Sequence, residues 1–173
     1  RPALKYALAH LGLTHHQPKA LRPSLSRLLA NQLDTYIYHE VGEVSETVFD
    51  RDQWRRIIAG HPQTPVELLA RASKDLLADT HTKGPLHRMI RTRNKVGLAL
   101  YVAFCDGLLR EIFREIRPAF QAFSEKSNWD LIAEAVTRGN RSGRRWAQML
   151  MHYHAEGLKR GDTEWSRGQI VCR

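Results

Sequence analysis

The sequence predicts an all-α fold, a single-domain helical bundle of about six to eight helices around a central buried helix at about 96–116. Apolar residues recur at spacings of three and four along most of the chain, and no segment alternates with a period of two over a useful length. The longest apolar run, VGLALYVAFC at 96–105, is shorter than the ~20 residues that cross a bilayer. We therefore expect a buried helix here, within a helical domain at 1–160 that is followed by a poorly ordered tail at 161–173.

The first two predicted helices differ in length. Leu4, Leu8 and Leu11 lie at helical spacing and predict a helix over 2–12. A long second helix is expected at about 24–48, where six apolar residues repeat at spacings of three and four. These residues are Leu29, Leu33, Ile37, Val41, Val44 and Val48. Such a stripe is typical of a helix face that packs against the core, so we expect it to be buried.

Three helix starts carry specific capping residues. Asp50 is expected to cap a short helix that ends near residue 60. Thr64 is followed by a proline and, three residues later, by Glu67, which is the pattern of a capping box. The helix that starts there is expected to reach Asp79. Asn128 is expected to cap a helix in the second half of the chain.

Prolines and glycines divide the second half. A helical stretch, either continuous or broken near 92–95, is expected from Pro85 to Ile116, because Pro118 enforces a break after it. The GNRSG segment at 139–143 predicts a turn, and the last helix is then expected at about 144–159. Two helices joined by such a turn superficially resemble a helix-turn-helix, although the pattern is common in any helical bundle.

The charge is strongly positive and unevenly placed. The net charge is +9, and residues 85–173 hold 16 Lys and Arg against 9 Asp and Glu. The basic residues singled out in this half are Arg141, Arg144, Arg145, Lys159 and Arg160. A basic half attracts nucleic acid or an acidic protein, while the plainer interpretation is a solvated basic surface.

One group of residues has the chemistry of metal ligands. His39 and Glu43 are one helical turn apart on the same face, and a second group follows in the 79–87 loop region. The candidate ligands for zinc, iron or manganese are His39, Glu40, Glu43, Asp79, His81 and His87. The spacing is neither HExxH nor the ExxH of a di-iron bundle. With Ile37 at the centre of the core stripe, His39 falls about 160° away, so the alternative is a His39–Glu43 pair on the surface.

Asp106 is the anomalous acid of the central helix. A helical wheel places it about 40° from Val102, inside the apolar stripe of that helix. An uncompensated buried carboxylate is costly, so we expect a buried Asp106 that is paired, bonded to backbone N–H groups or placed at a polar cavity. An arginine partner is favoured, and a functional acid is the alternative.

Three segments carry a resemblance to a known family. YHEVGE, TPVELLARASKDLLADTH and LALYVAFCDGLLREIF resemble an uncharacterised bacterial family of all-helical proteins, a domain of unknown function. The similarity spans about 32–129. It implies an all-α fold and a bacterial, cytoplasmic protein, and it implies no activity.

Two functional hypotheses follow. The favoured one is a non-catalytic helical interaction module whose basic C-terminal half contacts an acidic partner or nucleic acid. The alternative is a metal- or cofactor-binding protein, and thus a candidate enzyme, with a site built from the 24–48 helix and the 79–87 loop. No glycine-rich phosphate loop, GxGxxG, GxSxG or paired CxxC is present, which removes support from most large enzyme classes.

Overall fold

The computed structural model describes residues 1–13 and 18–171, with the main chain alone over 18–23. These residues form helices and no strand, which confirms the all-α prediction, with ten helices instead of six to eight. The helices are α1 (Pro2–His10), α2 (Pro18–Ser45), α3 (Arg51–Gly60), α4 (Pro65–Thr80), α5 (Pro85–Thr92), α6 (Lys95–Phe104), α7 (Gly107–Ile112), α8 (Ile116–Lys126), α9 (Trp129–Arg160) and α10 (Thr163–Val171). None of the helices in these two ranges is long and apolar enough to cross a membrane.

The predicted capping residues start their helices as expected. The Asp50 carboxylate accepts from two backbone N–H groups of α3, at 2.7 and 3.3 Å. The Thr64 hydroxyl accepts from the backbone N–H of Glu67 at 3.5 Å. The Glu67 carboxylate accepts from the backbone N–H of Gln63 at 2.7 Å. In an ideal capping box it would accept from the next residue, the N-cap Thr64. The Asn128 side chain accepts from a backbone N–H of α9 at 2.9 Å.

The core is centred on the packing of α4 against α9, and glycines of α9 permit a close approach. A Cβ on Gly143 would lie 3.1 Å from the Leu77 side chain of α4. A Cβ on Gly139 would overlap the edge of the Phe113 ring. The GNRSG segment therefore lies in the middle of α9 and forms no turn, because its glycines accommodate neighbouring side chains. This corrects the prediction of two helices here and removes the helix-turn-helix.

The predicted central helix is interrupted. It divides into α6 and α7 at Cys105 and Asp106, and Gly107 adopts a positive φ of 55°. The Asp106 carboxylate caps α7 by accepting from the Gly107 N–H at 2.9 Å. Its side chain is 49 % exposed and pairs with Arg1 at 2.6 Å and with Arg110 at 3.8 Å. The prediction of a buried Asp106 is therefore wrong, since the wheel assumed a continuous helix, and the arginine pairing occurs at the surface.

The apolar stripe of α2 faces outward, which corrects the prediction that it is buried. Its five members within the helix, Leu29, Leu33, Ile37, Val41 and Val44, are 39–75 % exposed. The opposite side of α2 packs on α4, where a Cβ on Gly42 would overlap the Ala78 carbonyl oxygen and lie 2.9 Å from its carbonyl carbon. The absence of a side chain at Gly42 thus decides which face of α2 meets the bundle. Val48 is half-buried and lies beyond the end of the helix.

Most of the predicted poorly ordered tail is helical instead, since Thr163–Val171 form α10. α10 packs against α9, with Ser166 and Ile170 buried. A Cβ on Gly157 of α9 would lie 2.6 Å from the Ser166 Cβ, so the two helices are in close contact. The Arg160 guanidinium lies 4.1 Å from the centre of the Trp165 ring, a cation–π contact that joins α9 to α10.

Candidate functional site

A histidine and three carboxylates meet where α2 crosses α4. His39 and Glu43 lie one turn apart on α2, and Asp75 and Asp79 lie one turn apart on α4. Because residues four apart share a helix face, the close crossing at Gly42 places the two pairs opposite each other. We call these four side chains the His39 cluster.

Asp79 fixes the orientation of the imidazole. Its side chain is buried, and its Oδ1 lies 2.8 Å from Nδ1 of His39. The Tyr101 hydroxyl of α6 donates to Oδ2 of Asp79 at 2.8 Å, so both carboxylate oxygens have partners. With Nδ1 donating to Asp79, the second ring nitrogen, Nε2, faces the other two acids.

The two remaining carboxylates approach Nε2 of His39 at similar distances. Nε2 lies 3.9 Å from Oε2 of Glu43 and 4.0 Å from Oδ1 of Asp75. One ligand atom from each of these three residues lies within 4.8 Å of the other two. The Lys74 ammonium holds the other Glu43 oxygen, Oε1, at 2.6 Å and lies over the Trp54 ring. Glu43 is thereby anchored with Oε2 directed toward the imidazole.

The cluster is electrostatically unusual. The pKa of His39 is raised to about 9, first by its hydrogen bond to Asp79 and further by the negative charges of Asp79, Asp75 and Glu43. Burial raises the pKa of Asp75, and burial together with the Asp79 charge raises the pKa of Tyr101 well above its ordinary value. At neutral pH His39 is therefore an imidazolium, and its Nε2 proton lies among acceptor oxygens, where a metal cation would also be stabilised.

A cavity of about 410 Å³ opens beside the cluster. Its polar side is formed by His39, Asp75 and Asp79, and aromatic and apolar side chains form the rest. Among the latter, Tyr36 and Phe104 are largely exposed at the rim. The arrangement can hold a cation at the polar end and accommodate a small ligand along the apolar wall.

The structure brings together part of the predicted metal set. His39, Glu43 and Asp79 belong to the His39 cluster, and Glu40 is exposed and lines the same cavity. The other two histidines lie outside it. Both follow the end of α4 at Thr80, and α5, which carries His87, meets α2 away from the cluster, where Arg88 lies 3.6 Å from Asp34.

His81 and His87 have separate environments. The Nδ1 atom of His81 accepts from the backbone N–H of Lys83 at 3.1 Å, in the turn after α4. His87 is half-buried on α5, and its pKa is lowered by burial and then by Arg91 and His81. Neither residue belongs to the group that could share one ion.

Sequence reasoning missed Asp75 and Tyr101. Asp75 precedes Asp79 by four residues, so an acidic pair on one face of a well-capped helix was the available signal. Tyr101 carried no such signal, because its contact with Asp79 depends on how α6 packs beside α4.

The predicted basic residues lie on the exposed side of α9. Arg141, Arg144, Arg145, Lys159 and Arg160 are all exposed. Lys159 pairs with Glu156 at 2.8 Å, and Arg144 donates to the side chain of Asn140 at 2.9 Å. In the parts of the chain that the structure describes, no carboxylate lies within ion-pair distance of Arg141 or Arg145.

The fold and the site define an all-α domain with a histidine–carboxylate cluster between two crossing helices. The chain belongs to a family of unknown function, DUF6866, whose C-terminal domain matches residues 1–169. This confirms the resemblance to a helical family of unknown function. No curated protein and no solved structure matches the chain.

Proposed function

We propose that this chain is a divalent-metal-binding helical domain in which His39, Glu43 and Asp75 are the protein ligands. The observation that carries the proposal is the position of Nε2 of His39, which faces one oxygen of each carboxylate at 3.9 and 4.0 Å. Imidazole and carboxylate ligands together suit zinc, iron and manganese.

The distances are compatible with a modest rearrangement around an ion. Zinc lies about 2.0–2.2 Å from nitrogen and oxygen ligands, so tetrahedral ligand atoms are about 3.4 Å apart. The distances from Nε2 to the Glu43 and Asp75 oxygens would each need to shorten by about half an ångström. Rotation of these two side chains can provide this change. The cavity side then keeps coordination positions for water or a small ligand, as in three-ligand sites.

Asp79 also supports the proposal, because it contacts the His39 ring nitrogen that does not face the proposed ion. Histidines that bind metals usually donate their other ring N–H to a carboxylate, which fixes the tautomer and raises the basicity of the ligand nitrogen. The His39–Asp79 contact at 2.8 Å has this arrangement, and Tyr101 holds Asp79 in turn. Replacement of such a supporting carboxylate typically weakens metal binding by about 10–100-fold.

Metal uptake tests the proposal directly. The protein, purified without a histidine tag and supplemented with zinc, manganese or iron(II), should contain about one ion per chain. His39→Gln should lose the ion, while His87→Gln, a change at a half-buried histidine outside the cluster, should retain it. Absence of all three metals from the folded parent protein, or equal uptake by His39→Gln, contradicts the proposal.

The affinity for metal should also depend on pH. Because His39 has a pKa of about 9, an ion must displace its Nε2 proton. We expect the apparent affinity to rise by up to about tenfold per pH unit between about pH 6 and pH 8. Titration calorimetry across this range measures the slope, and an affinity that is flat with pH contradicts the assignment of His39 as a ligand.

A second candidate function is an interaction module that binds a polyanion through the basic face of α9. It is supported by one observation: the exposed residues Arg141, Arg144, Arg145 and Lys159 lie within about 100° of one another on a single continuous helix. Nucleic acid or an acidic protein would be the partner, as predicted from the charge.

Salt dependence distinguishes this candidate from a solvated surface. Binding to duplex DNA through phosphates should weaken by roughly 0.9 log units per log unit of salt for each phosphate neutralised. Replacement of Arg141, Arg144 and Arg145 by glutamine should lower both affinity and slope, while glutamine at the exposed Arg51 and Arg55 of α3 serves as a matched control. If the protein fails to bind mixed DNA, RNA and an acidic polypeptide at low salt, this candidate function is contradicted.

A further inference from the structure

The outward face of α2 is a long apolar surface on an otherwise well-packed domain. Its exposed large apolar side chains are Leu25, Leu29, Leu33, Tyr36, Ile37, Val41 and Val44. On a helical wheel they occupy an arc of about 160°, and from first to last they span about 29 Å of helix axis. Single exposed apolar residues are ordinary, whereas a contiguous surface of this kind marks an interaction site.

The charges along α2 are separated by sign. Residues 18–27 contain Lys19, Arg22 and Arg27 and no acid. Residues 34–46 contain no Lys or Arg, and of their acids Asp34 and Glu40 lie beside the apolar arc, whereas Glu43 is held toward α4 by Lys74. The helix therefore has a basic N-terminal end and an acidic C-terminal end, and the apolar face extends along most of its length. A second α2 in the opposite direction would match this charge pattern, and a parallel one would oppose it.

We propose that the outward face of α2 is a self-association surface, on which a second copy of this chain docks its own α2 in antiparallel orientation. The apolar spacing is compatible with a two-fold axis near Asn31, close to the middle of the helix. Such an axis sets Leu29 opposite Leu33 of the other copy, and it brings the exposed Arg27 within one residue of Asp34, which also lies 3.6 Å from Arg88. An isologous interface requires this kind of self-complementarity. The proposed metal ligands lie toward α4, and Tyr36 at the rim of their cavity is the residue that the two surfaces share.

The oligomeric state provides the first test. Analytical ultracentrifugation should show a dimer at micromolar concentrations, and the double variant Leu29→Glu, Leu33→Glu should raise the dissociation constant by roughly 100-fold or more. Both residues are exposed, at 64 % and 61 %, so the fold should be retained, as circular dichroism checks. Leu68→Glu is the matched control, because Leu68 is 58 % exposed on α4. A monomeric parent protein, or a dimer that the double variant leaves intact, overturns the proposal.

Cysteine cross-linking tests the antiparallel orientation. Near the two-fold axis, residue 30 of one copy lies about 3 Å along the axis from residue 30 of the other, while the two residues 44 are about 39 Å apart. In a Cys172→Ser background, Ala30→Cys should therefore form an intermolecular disulfide, and Val44→Cys should not. Cys105 is buried and does not compete. Cross-linking at both positions indicates a parallel pair and overturns the proposal, as does cross-linking at neither position.

Discussion

Asp79→Ala should destabilise the protein by roughly 2–4 kcal/mol, because each buried or part-buried donor left without its acceptor costs about 1–3 kcal/mol. The change leaves the His39 imidazole without its hydrogen-bond partner at 2.8 Å and the Tyr101 hydroxyl without its acceptor. Asp79→Asn keeps the shape and one acceptor oxygen, so its cost should be smaller. Chemical denaturation measures the unfolding free energy of both variants. The control is Glu125→Ala, a change at an exposed acid of α8, and its stability should lie within about 0.5 kcal/mol of the parent.

The pH dependence of the unfolding free energy tests whether the His39–Asp79 pair is the source of this stability. The folded state raises the pKa of His39 from 6.5 to about 9, so the stabilisation by the His39–Asp79 pair is fully present below about pH 6.5. It is lost as the pH rises through about 9. In Asp79→Asn this loss at alkaline pH should be much smaller. An Asp79→Ala variant as stable as the parent would contradict the buried pair.

Gly42→Ala should separate α2 from α4 and thereby dismantle the His39 cluster. The new Cβ would overlap the Ala78 carbonyl oxygen. Because the α2 backbone fixes the Cβ and the oxygen belongs to the α4 backbone, the helices must move apart. We expect a loss of roughly 1–3 kcal/mol in unfolding free energy. Metal uptake should fall as well, since the ligands come from both helices.

A glycine in open space provides the matched control for this variant. A Cβ on Gly168 of α10 would have no atom within 4 Å, so Gly168→Ala should be neutral or should stabilise the helix by up to about 1 kcal/mol. Thermal unfolding and elemental analysis of the two variants together separate a local clash from a general effect of alanine. Unchanged stability and unchanged metal content in Gly42→Ala would contradict the crossing geometry.

Local features of the fold were predictable, because their physics involves few residues. Asp50, Thr64 and Asn128 cap their helices through side-chain contacts with backbone N–H groups at most three positions away. Periodicity likewise identified the helical class, since amphipathic spacing depends on neighbours along one helix.

The direction in which a helix faces depends on the rest of the bundle, and here the sequence reasoning failed. The apolar stripe of α2 was assigned to the core, whereas the close crossing at Gly42 turns the polar side inward. The same reversal explains the site, because His39 lies about 160° from the stripe, on the side predicted to face away from the core, and this side packs beside Asp79. Asp106 was misplaced for a related reason, because a wheel does not register the helix break that Gly107 permits.

Proton release on metal binding tests the central claim most directly. An ion that replaces the Nε2 proton of His39 should release about one proton per ion near pH 7, because that nitrogen is protonated in the free protein. Titration calorimetry in two buffers of different ionisation enthalpy counts the protons, for the parent protein and for His39→Gln. We expect the parent protein to release about one proton and the variant to show no comparable binding. Binding without proton release, or with the same release in His39→Gln, would contradict it.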